Sequence, residues 1–162
     1  LLVIEYARNC AGLKEASSEE FDEKSNSSED HLIYHLSKWI KDQKVEIRSK
    51  VQNKGGTMRL GAYPAKIKKG TMAYSIYKKA IVSERHRHRF EVNVHNQEAL
   101  EDNGLTFSGF SQDGSLPEVV ELSSHPFFLG VQFHPELKSK PFEPHPIFSN
   151  FIKKALEQTR LV

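Results

Sequence analysis

Residues 129–136 read LGVQFHPE, and this short stretch decides how the rest of the sequence is interpreted. It closes an apolar run that begins at Phe127, and such a short, aromatic-rich run is typical of a buried strand. His134 and Glu136 are two residues apart, so extended backbone directs both side chains to the same side. Pro135 between them favours extended geometry at His134. The sequence therefore predicts an imidazole and a carboxylate side by side at the end of a strand.

This pair has a catalytic and an ordinary interpretation. A carboxylate on one ring nitrogen fixes the imidazole tautomer and favours the protonated ring, and the other nitrogen can then serve a nucleophile as a base. The alternative is a surface ion pair that follows a core strand. From these residues alone the surface pair is the better supported interpretation, so the choice depends on the rest of the sequence.

Length and composition fit one folded domain. The chain has 162 residues, enough to bury a core. Its 23 lysines and arginines nearly balance 21 aspartates and glutamates, so a formal charge of +2 gives no general attraction to nucleic acids or anionic membranes. Its apolar runs are too short to span a bilayer. The single cysteine, Cys10, excludes an intrachain disulfide and indicates a reducing, cytoplasmic compartment.

The first twelve residues predict a helix that is already under way at Leu1 and stops at Gly12. Apolar residues occupy almost every face, which predicts a helix buried inside a larger body. Neither an N-cap residue nor a targeting segment precedes it, so we expect a chain that starts inside an element. Cys10 lies late in this helix without a nucleophile turn around it, and we assign it a structural role.

The other elements follow from periodicity and turn signals. The helix from Pro146 has a clear apolar stripe that we expect to pack on the sheet. We expect a helical turn or loop at 37–42 and an edge strand protected by lysines at 62–69. The further predictions are strands at 32–36 and 45–48, a helix at 72–78 capped by Thr71, a helix at 97–103 and a hairpin of 105–110 with 118–122.

Three strings in order identify a family. QFHPE at 132–136 resembles the histidine–glutamate half of the Cys-His-Glu triad of class I glutamine amidotransferases. GGTMRLG at 55–61 and ERHRHRFEVN at 84–93 resemble one family of that class, the CTP synthases. The resemblance runs from Leu1 to the last helix and is weak only across 21–53. It implies an α/β fold with a doubly wound, flavodoxin-like sheet, flanking helices and an added β-hairpin region.

The resemblance also implies a catalytic pair and a substrate site. His134 would act as general base and acid, and Glu136 would orient it. Arg89 would grip the α-carboxylate of glutamine, for which a guanidinium fork is the matching shape. Glu20 would help to bind glutamine, on the match of ASSEEF at 16–21, with its neighbour Glu19 as the alternative.

The same resemblance implies an effector and a larger protein. Thr57 and Arg59 are the candidates for the response to GTP, the allosteric activator of glutamine hydrolysis. Residues 1–162 would form a partial amidotransferase domain that starts just after the nucleophile cysteine, so we expect the segment alone to be inactive. The N-terminal synthetase domain, absent here, would use ATP and magnesium to convert UTP to CTP with the released ammonia. The full-length protein would be a homotetramer, and this segment would hold no metal or other cofactor.

Other functions remain open at this stage. A degenerate amidotransferase-like module could act in regulation or assembly without catalysis. The run at 85–89, with arginines on one strand face and His86 and His88 on the other, could bind nucleic acid, but flanking acids and the near-neutral charge disfavour this. A glutaminase that serves another synthase is disfavoured by the two CTP synthase-like strings. His31 and His35 have metal-like spacing only on a helix, and their segment predicts a strand.

Overall fold

A computed structural model of the chain describes residues 1–21, 31–35, 38–41, 44–47 and 58–159. None of the helices in these ranges is long and apolar enough to cross a membrane. The helices are α1 (Leu2–Asn9), α2 (Met72–Tyr77), α3 (Gln97–Asp102) and α4 (Pro146–Thr159). The strands are β1 (Ile33–His35), β2 (Lys38–Lys41), β3 (Lys44–Ile47), β4 (Arg59–Ile67), β5 (Ile81–His88), β6 (Phe90–Val92), β7 (Leu105–Ser111), β8 (Pro117–Leu122) and β9 (Leu129–Val131).

Five strands form the main sheet in the order β5-β4-β7-β8-β9, and every pair is antiparallel. β4 pairs with β5 from Arg59 opposite His88 to Lys66 opposite Ile81. Its C-terminal end also pairs with β7. The prediction of an edge strand at 62–69 is therefore wrong, because β4 has a neighbour on each side.

Helices cover both faces of this sheet, as the two middle residues of β8 show. Val120 belongs to an apolar cluster with residues of α1 and α3, including Ile4 and Leu100. Val119 points the other way, into a cluster with α2 and α4, including Ile76. The α/β class with flanking helices is thus confirmed. The strand pairs of this sheet are antiparallel, so the parallel part of a doubly wound sheet is not among the described strands.

Two smaller sheets lie beside the main one. β1 pairs with β6, with His35 opposite Phe90, and β2 pairs with β3 as an antiparallel hairpin. The prediction of a helical turn or loop at 37–42 is wrong, because residues 38–41 form β2.

α1 is amphipathic, and the prediction of a helix buried on all sides is wrong. Val3, Ile4 and Ala7 are buried, whereas Glu5 and Arg8 face solvent. The buried face packs closely on the sheet near β9. A Cβ atom at Gly130 would lie 3.0 Å from Val120 Cγ2 and 3.3 Å from Leu2 Cδ1, so glycine there lets the start of α1 approach β9.

α4 also differs from its prediction. Only Ile147, in its first turn, is buried, and Ile152 and Leu156 are 57% and 55% exposed. The apolar stripe was correctly located, but its C-terminal part does not pack on the sheet. Periodicity identifies the apolar face of a helix and says nothing about what covers it.

The remaining predictions hold closely. Thr71 caps α2 by accepting a hydrogen bond from Tyr74 N–H at 3.1 Å. Gly104, with φ of +100°, ends the turn after α3 as a C-terminal stop. β7 and β8 form the predicted hairpin.

Candidate active site

His134 and Glu136 meet in a tight turn that follows the edge strand β9. β9 is half-buried and ends at Val131, before the end of the apolar run, and Pro135–Leu137 form a 3-10 turn with His134 at its N-terminal end. His134 Nδ1 lies 2.7 Å from Glu136 Oε1. The two side chains are therefore neighbours as expected, although a turn and not an extended strand brings them together.

The pair is accessible to solvent. The side chains of His134 and Glu136 are 34% and 58% exposed. Burial acts to raise the pKa of Glu136, but the hydrogen bond with His134 and the charge of Arg87 outweigh it, so the pKa is lowered. The carboxylate that faces Nδ1 is thus ionised, and it can hold the proton of His134 on that nitrogen.

The turn is attached to β5 at both of its ends. His134 N–H donates to Arg85 O at 2.8 Å. Lys138, just after the turn, donates to Ser83 O at 2.5 Å and lies 3.3 Å from the buried Glu84 carboxylate. Burial alone would raise the pKa of Glu84, but His145 and Lys138 lower it. A buried anionic residue therefore holds the turn that presents His134.

Arg89 lies at a bend, where β5 ends and β6 begins, and it is half-buried. The alternation predicted along 84–89 is present, with Arg85 and Arg87 exposed and His86 buried. Gln132 Nε2 donates to Phe90 O at 2.5 Å, which ties the bend to the segment that leads into His134. This hydrogen bond places the bend at Arg89 beside the segment that leads into His134.

Glu20 lies on an exposed turn that approaches the same region. Ser18 forms an isolated β-bridge with Ile33. The backbone N–H of His35 donates to Glu19 Oε2 at 2.7 Å. Because His35 pairs with Phe90, this turn is near the bend at Arg89. The Glu19 carboxylate is engaged by the backbone, whereas the Glu20 carboxylate is exposed. The geometry thus favours Glu20 over Glu19 as the one able to reach a ligand.

The other predicted residues lie elsewhere. Thr57 is outside the described residues. Arg59, the second effector candidate, is only 3% exposed and faces the protein interior. Cys10 is exposed and directly follows the last residue of α1. It lies about 12 Å along the helix axis from Leu2, the residue of α1 that approaches β9.

Arg59 belongs to a buried ionic cluster that the sequence analysis missed, formed with His86, His88, Glu91 and Glu118. Its guanidinium lies 2.6 Å from Glu118 Oε1 and 3.3 Å from Glu91 Oε1. Burial raises the pKa of Glu91 to about 8 and that of Glu118 to about 7, against the opposing charge of Arg59. One guanidinium serves two carboxyl groups, and its shorter contact is with Glu118, so Glu91 has the higher pKa and is the first of the two to be protonated.

Both histidines of this cluster are neutral. Burial, followed by the charge of Arg59, lowers the pKa of His86 to about 2 and that of His88 to about 3. His86 Nδ1 lies 2.8 Å from His88 Nε2. The alternation along β5 placed both rings on the inner face, but their partners come from β4, β6 and β8. No local pattern in the sequence signals that assembly.

Comparisons with known proteins agree with this geometry. The family described as Glutamine amidotransferase class-I matches residues 1–154. The chain is 57% identical to a CTP synthase of Zymomonas mobilis over 98% of its own length and 28% of that protein. It is 55% identical to a CTP synthase of Cereibacter sphaeroides over its full length and 30% of that protein. The chain thus spans less than a third of the curated relatives that it matches.

A solved structure is similar over almost the whole chain. It is described as the glutaminase domain of Trypanosoma brucei CTPS with bound acivicin. The similarity covers 96% of this chain and 56% of that one, with 38% identity and a TM-score of 0.76. The fold of the chain is therefore that of a CTP synthase glutaminase domain.

Proposed function

The chain belongs to the class I glutamine amidotransferase family, and we propose that it forms the glutaminase part of a CTP synthase. It would take part in glutamine hydrolysis, which supplies the ammonia that converts UTP to CTP. We place the binding of ATP, magnesium and UTP, and the contacts of a homotetramer, on parts of the protein outside these residues. The similarity to CTP synthases along nearly the whole chain supports this assignment.

The observation that carries the proposal is the His134–Glu136 pair. Its 2.7 Å contact occupies Nδ1 of the imidazole, and among the described residues Nε2 has no hydrogen-bond partner. An oriented imidazole with one nitrogen held by a carboxylate and the other accessible is the arrangement of a general base. A surface ion pair alone would not explain why Lys138, just after the turn, reaches the buried Glu84 carboxylate.

In the reaction, a cysteine thiolate attacks the carboxamide carbon of glutamine and forms a tetrahedral oxyanion. The imidazolium of His134 then gives its Nε2 proton to the departing nitrogen, and ammonia leaves as the thioester forms. His134 next takes a proton from water, which attacks the thioester and releases glutamate. Glu136 stabilises the imidazolium in both steps. We do not assign the nucleophile to Cys10, because that residue lies at the far end of α1 from β9.

Two further residues would hold the substrate. Arg89 has the guanidinium that a free amino acid's carboxylate requires, and its bend is bonded to the segment before His134. Glu20, exposed on the neighbouring turn, would contact the substrate ammonium group or carboxamide. Both assignments rest on the family resemblance and on the short connections between these elements.

GTP is the proposed activator. Arg59 follows Thr57 by two residues in the sequence, and its buried contacts with Glu91 and Glu118 connect the start of β4 to β6 and β8. We therefore propose that Arg59 transmits the effect of GTP and that Thr57 is the residue that contacts it. This differs from direct binding by both residues, because the Arg59 side chain is occupied inside the protein.

The test is a His134→Ala substitution in the full-length protein. We expect glutamine-dependent CTP formation to fall below detection, while ammonia-dependent formation stays near the wild-type rate, because the synthetase reaction needs no base in the glutaminase. Both rates are measured by the absorbance change as UTP becomes CTP. His95→Ala, at an exposed histidine, is the matched control and should leave both rates unchanged. Loss of both activities in His134→Ala would overturn the assignment.

A further inference from the structure

Gln132 makes an unusual set of contacts for a residue next to a catalytic turn. Its Nε2 lies 2.5 Å from Phe90 O and 3.2 Å from His88 Nδ1. These are the residues on either side of Arg89. One side-chain amide, two positions ahead of His134, thus contacts the backbone carbonyl after Arg89 and the side-chain ring before it.

The direction of the shorter hydrogen bond follows from chemistry. Phe90 O can only accept, so the atom facing it is the amide nitrogen of Gln132. His88 Nδ1 lies 3.2 Å from both Gln132 Nε2 and Phe90 O, so it accepts from the amide when unprotonated and donates to the carbonyl when protonated. The other ring nitrogen, Nε2, is 2.8 Å from His86 Nδ1.

The contacts continue into the buried ionic cluster. His86 Nε2 lies 3.5 Å from Glu118 Oε2, but among the described residues neither atom has a hydrogen-bond partner. The other oxygen of Glu118 is held by Arg59 at 2.6 Å. Close contacts thus run from Gln132 through His88 to His86, which lies beside an ion pair in the interior. Burial keeps both histidines neutral, so neither adds a second positive charge beside Arg59.

We propose that Gln132 and His88 are positioning residues that hold the bend at Arg89 in the conformation that binds the glutamine carboxylate. The inference rests on the proposed function, since it assumes that Arg89 contacts glutamine. Neither side chain touches the substrate in this account. They act by holding the Phe90 carbonyl after Arg89 and the His88 ring before it.

The experiment compares two variants of the full-length protein. Gln132→Met keeps the length of the side chain but removes both donors, and Gln112→Met makes the same change on an exposed turn. For Gln132→Met we expect the KM for glutamine to rise about tenfold, the size of one lost buried hydrogen bond, with kcat within about twofold. Gln112→Met should match the wild type, and ammonia-dependent CTP formation should be unchanged in both.

A second pair separates positioning from simple packing. His88→Asn keeps an acceptor close to the place of Nδ1, whereas His88→Leu removes it. We expect His88→Asn to restore most of the wild-type KM and His88→Leu to raise the KM as Gln132→Met does. This pair decides the question even if Gln132→Met does not fold, and thermal unfolding identifies variants that are merely unstable.

The outcomes distinguish this inference from the proposed function. A wild-type protein that forms no CTP from glutamine would overturn the proposed function itself. If the wild type uses glutamine, an unchanged KM in Gln132→Met, or equal effects of His88→Asn and His88→Leu, would overturn the positioning role alone. A parallel loss of glutamine-dependent and ammonia-dependent activity would also reject it, because that pattern indicates general destabilisation.

Discussion

At the scale of single residues, the sequence predicted the contact between His134 and Glu136 but not the backbone conformation that produces it. Two residues separated by one proline were expected to share a strand face, and His134 and Glu136 are in contact at 2.7 Å. The backbone instead forms a 3-10 turn at Pro135. Proline at the first position of such a turn is favourable because its fixed φ suits a helix start and its missing N–H needs no partner. The i, i+2 pattern is therefore compatible with both geometries.

The carboxylate of this pair can be tested separately from the imidazole. In Glu136→Gln the neutral amide no longer stabilises the imidazolium, so we expect glutamine-dependent kcat to fall about 100-fold, within the usual range for acid–base catalysis. Ammonia-dependent activity should not change. Glu143→Gln, at an exposed glutamate that pairs with Lys140, is the matched control. Wild-type kcat in Glu136→Gln would show that Glu136 does not orient His134.

At the scale of elements, α2 shows how far local signals reach. Its N-cap, Thr71, was predicted from the sequence and accepts from Tyr74 N–H. Its first two backbone donors are satisfied by Glu121 on β8, whose carboxylate oxygens accept from Met72 N–H at 2.7 Å and Ala73 N–H at 3.0 Å. This buried contact spans 49 and 48 residues of chain, so no window of the sequence could indicate it.

Removing that contact should destabilise the fold measurably. Glu121→Ala leaves two backbone N–H groups at the start of α2 without an acceptor, so we expect the free energy of unfolding in urea to fall by about 2–3 kcal/mol. Glu121→Gln keeps one acceptor oxygen and should lose about 1 kcal/mol. Glu98→Ala, at an exposed helical glutamate, should change it by less than about 0.5 kcal/mol. Equal losses in Glu121→Ala and Glu98→Ala would contradict the capping role.

The elements that were predicted correctly share a physical property. The β7–β8 hairpin, α2 and α3 each carry their own boundary signals, and the alternation of β5 correctly put His86 and Arg87 on opposite faces. The wrong predictions concern partners, except at 37–42, where a strand replaces the expected helical turn or loop. β4 was expected at an edge and has two neighbours, and the stripe of α4 was expected to be covered and is largely exposed. Local sequence specifies an element and its apolar face, whereas its neighbours depend on the whole chain.

At the scale of the whole molecule, the buried ionic cluster joins parts of the chain that are distant in sequence. Arg59 comes from β4, Glu91 from β6 and Glu118 from β8, and each is almost fully buried. The single positive charge of Arg59 can fully balance only one of the two carboxylates. Ionising the second carboxylate destabilises the fold, so the free energy of unfolding depends on pH, chiefly through Glu91.

The sign of this pH dependence can be predicted. The pKa of Glu91 is about 8 in the folded protein and about 4.3 in an unfolded chain. Between these values the folded state holds a proton that the unfolded state has released, so the free energy of unfolding decreases as pH rises, by at most about 1.4 kcal/mol per pH unit. Glu91→Gln is neutral at every pH and lacks this decrease.

We therefore expect the free energy of unfolding of Glu91→Gln, relative to the wild type, to increase by about 2 kcal/mol between pH 6 and pH 8. Urea denaturation at a series of pH values measures this difference. Groups distant from Glu91 titrate alike in both proteins and cancel, whereas Glu118, which shares Arg59 with Glu91, adds to the difference. Glu98→Gln should follow the wild type throughout. Parallel pH profiles for Glu91→Gln and the wild type would show that Glu91 is ionised in the fold. In that case Arg59 would have to balance both carboxylates at once.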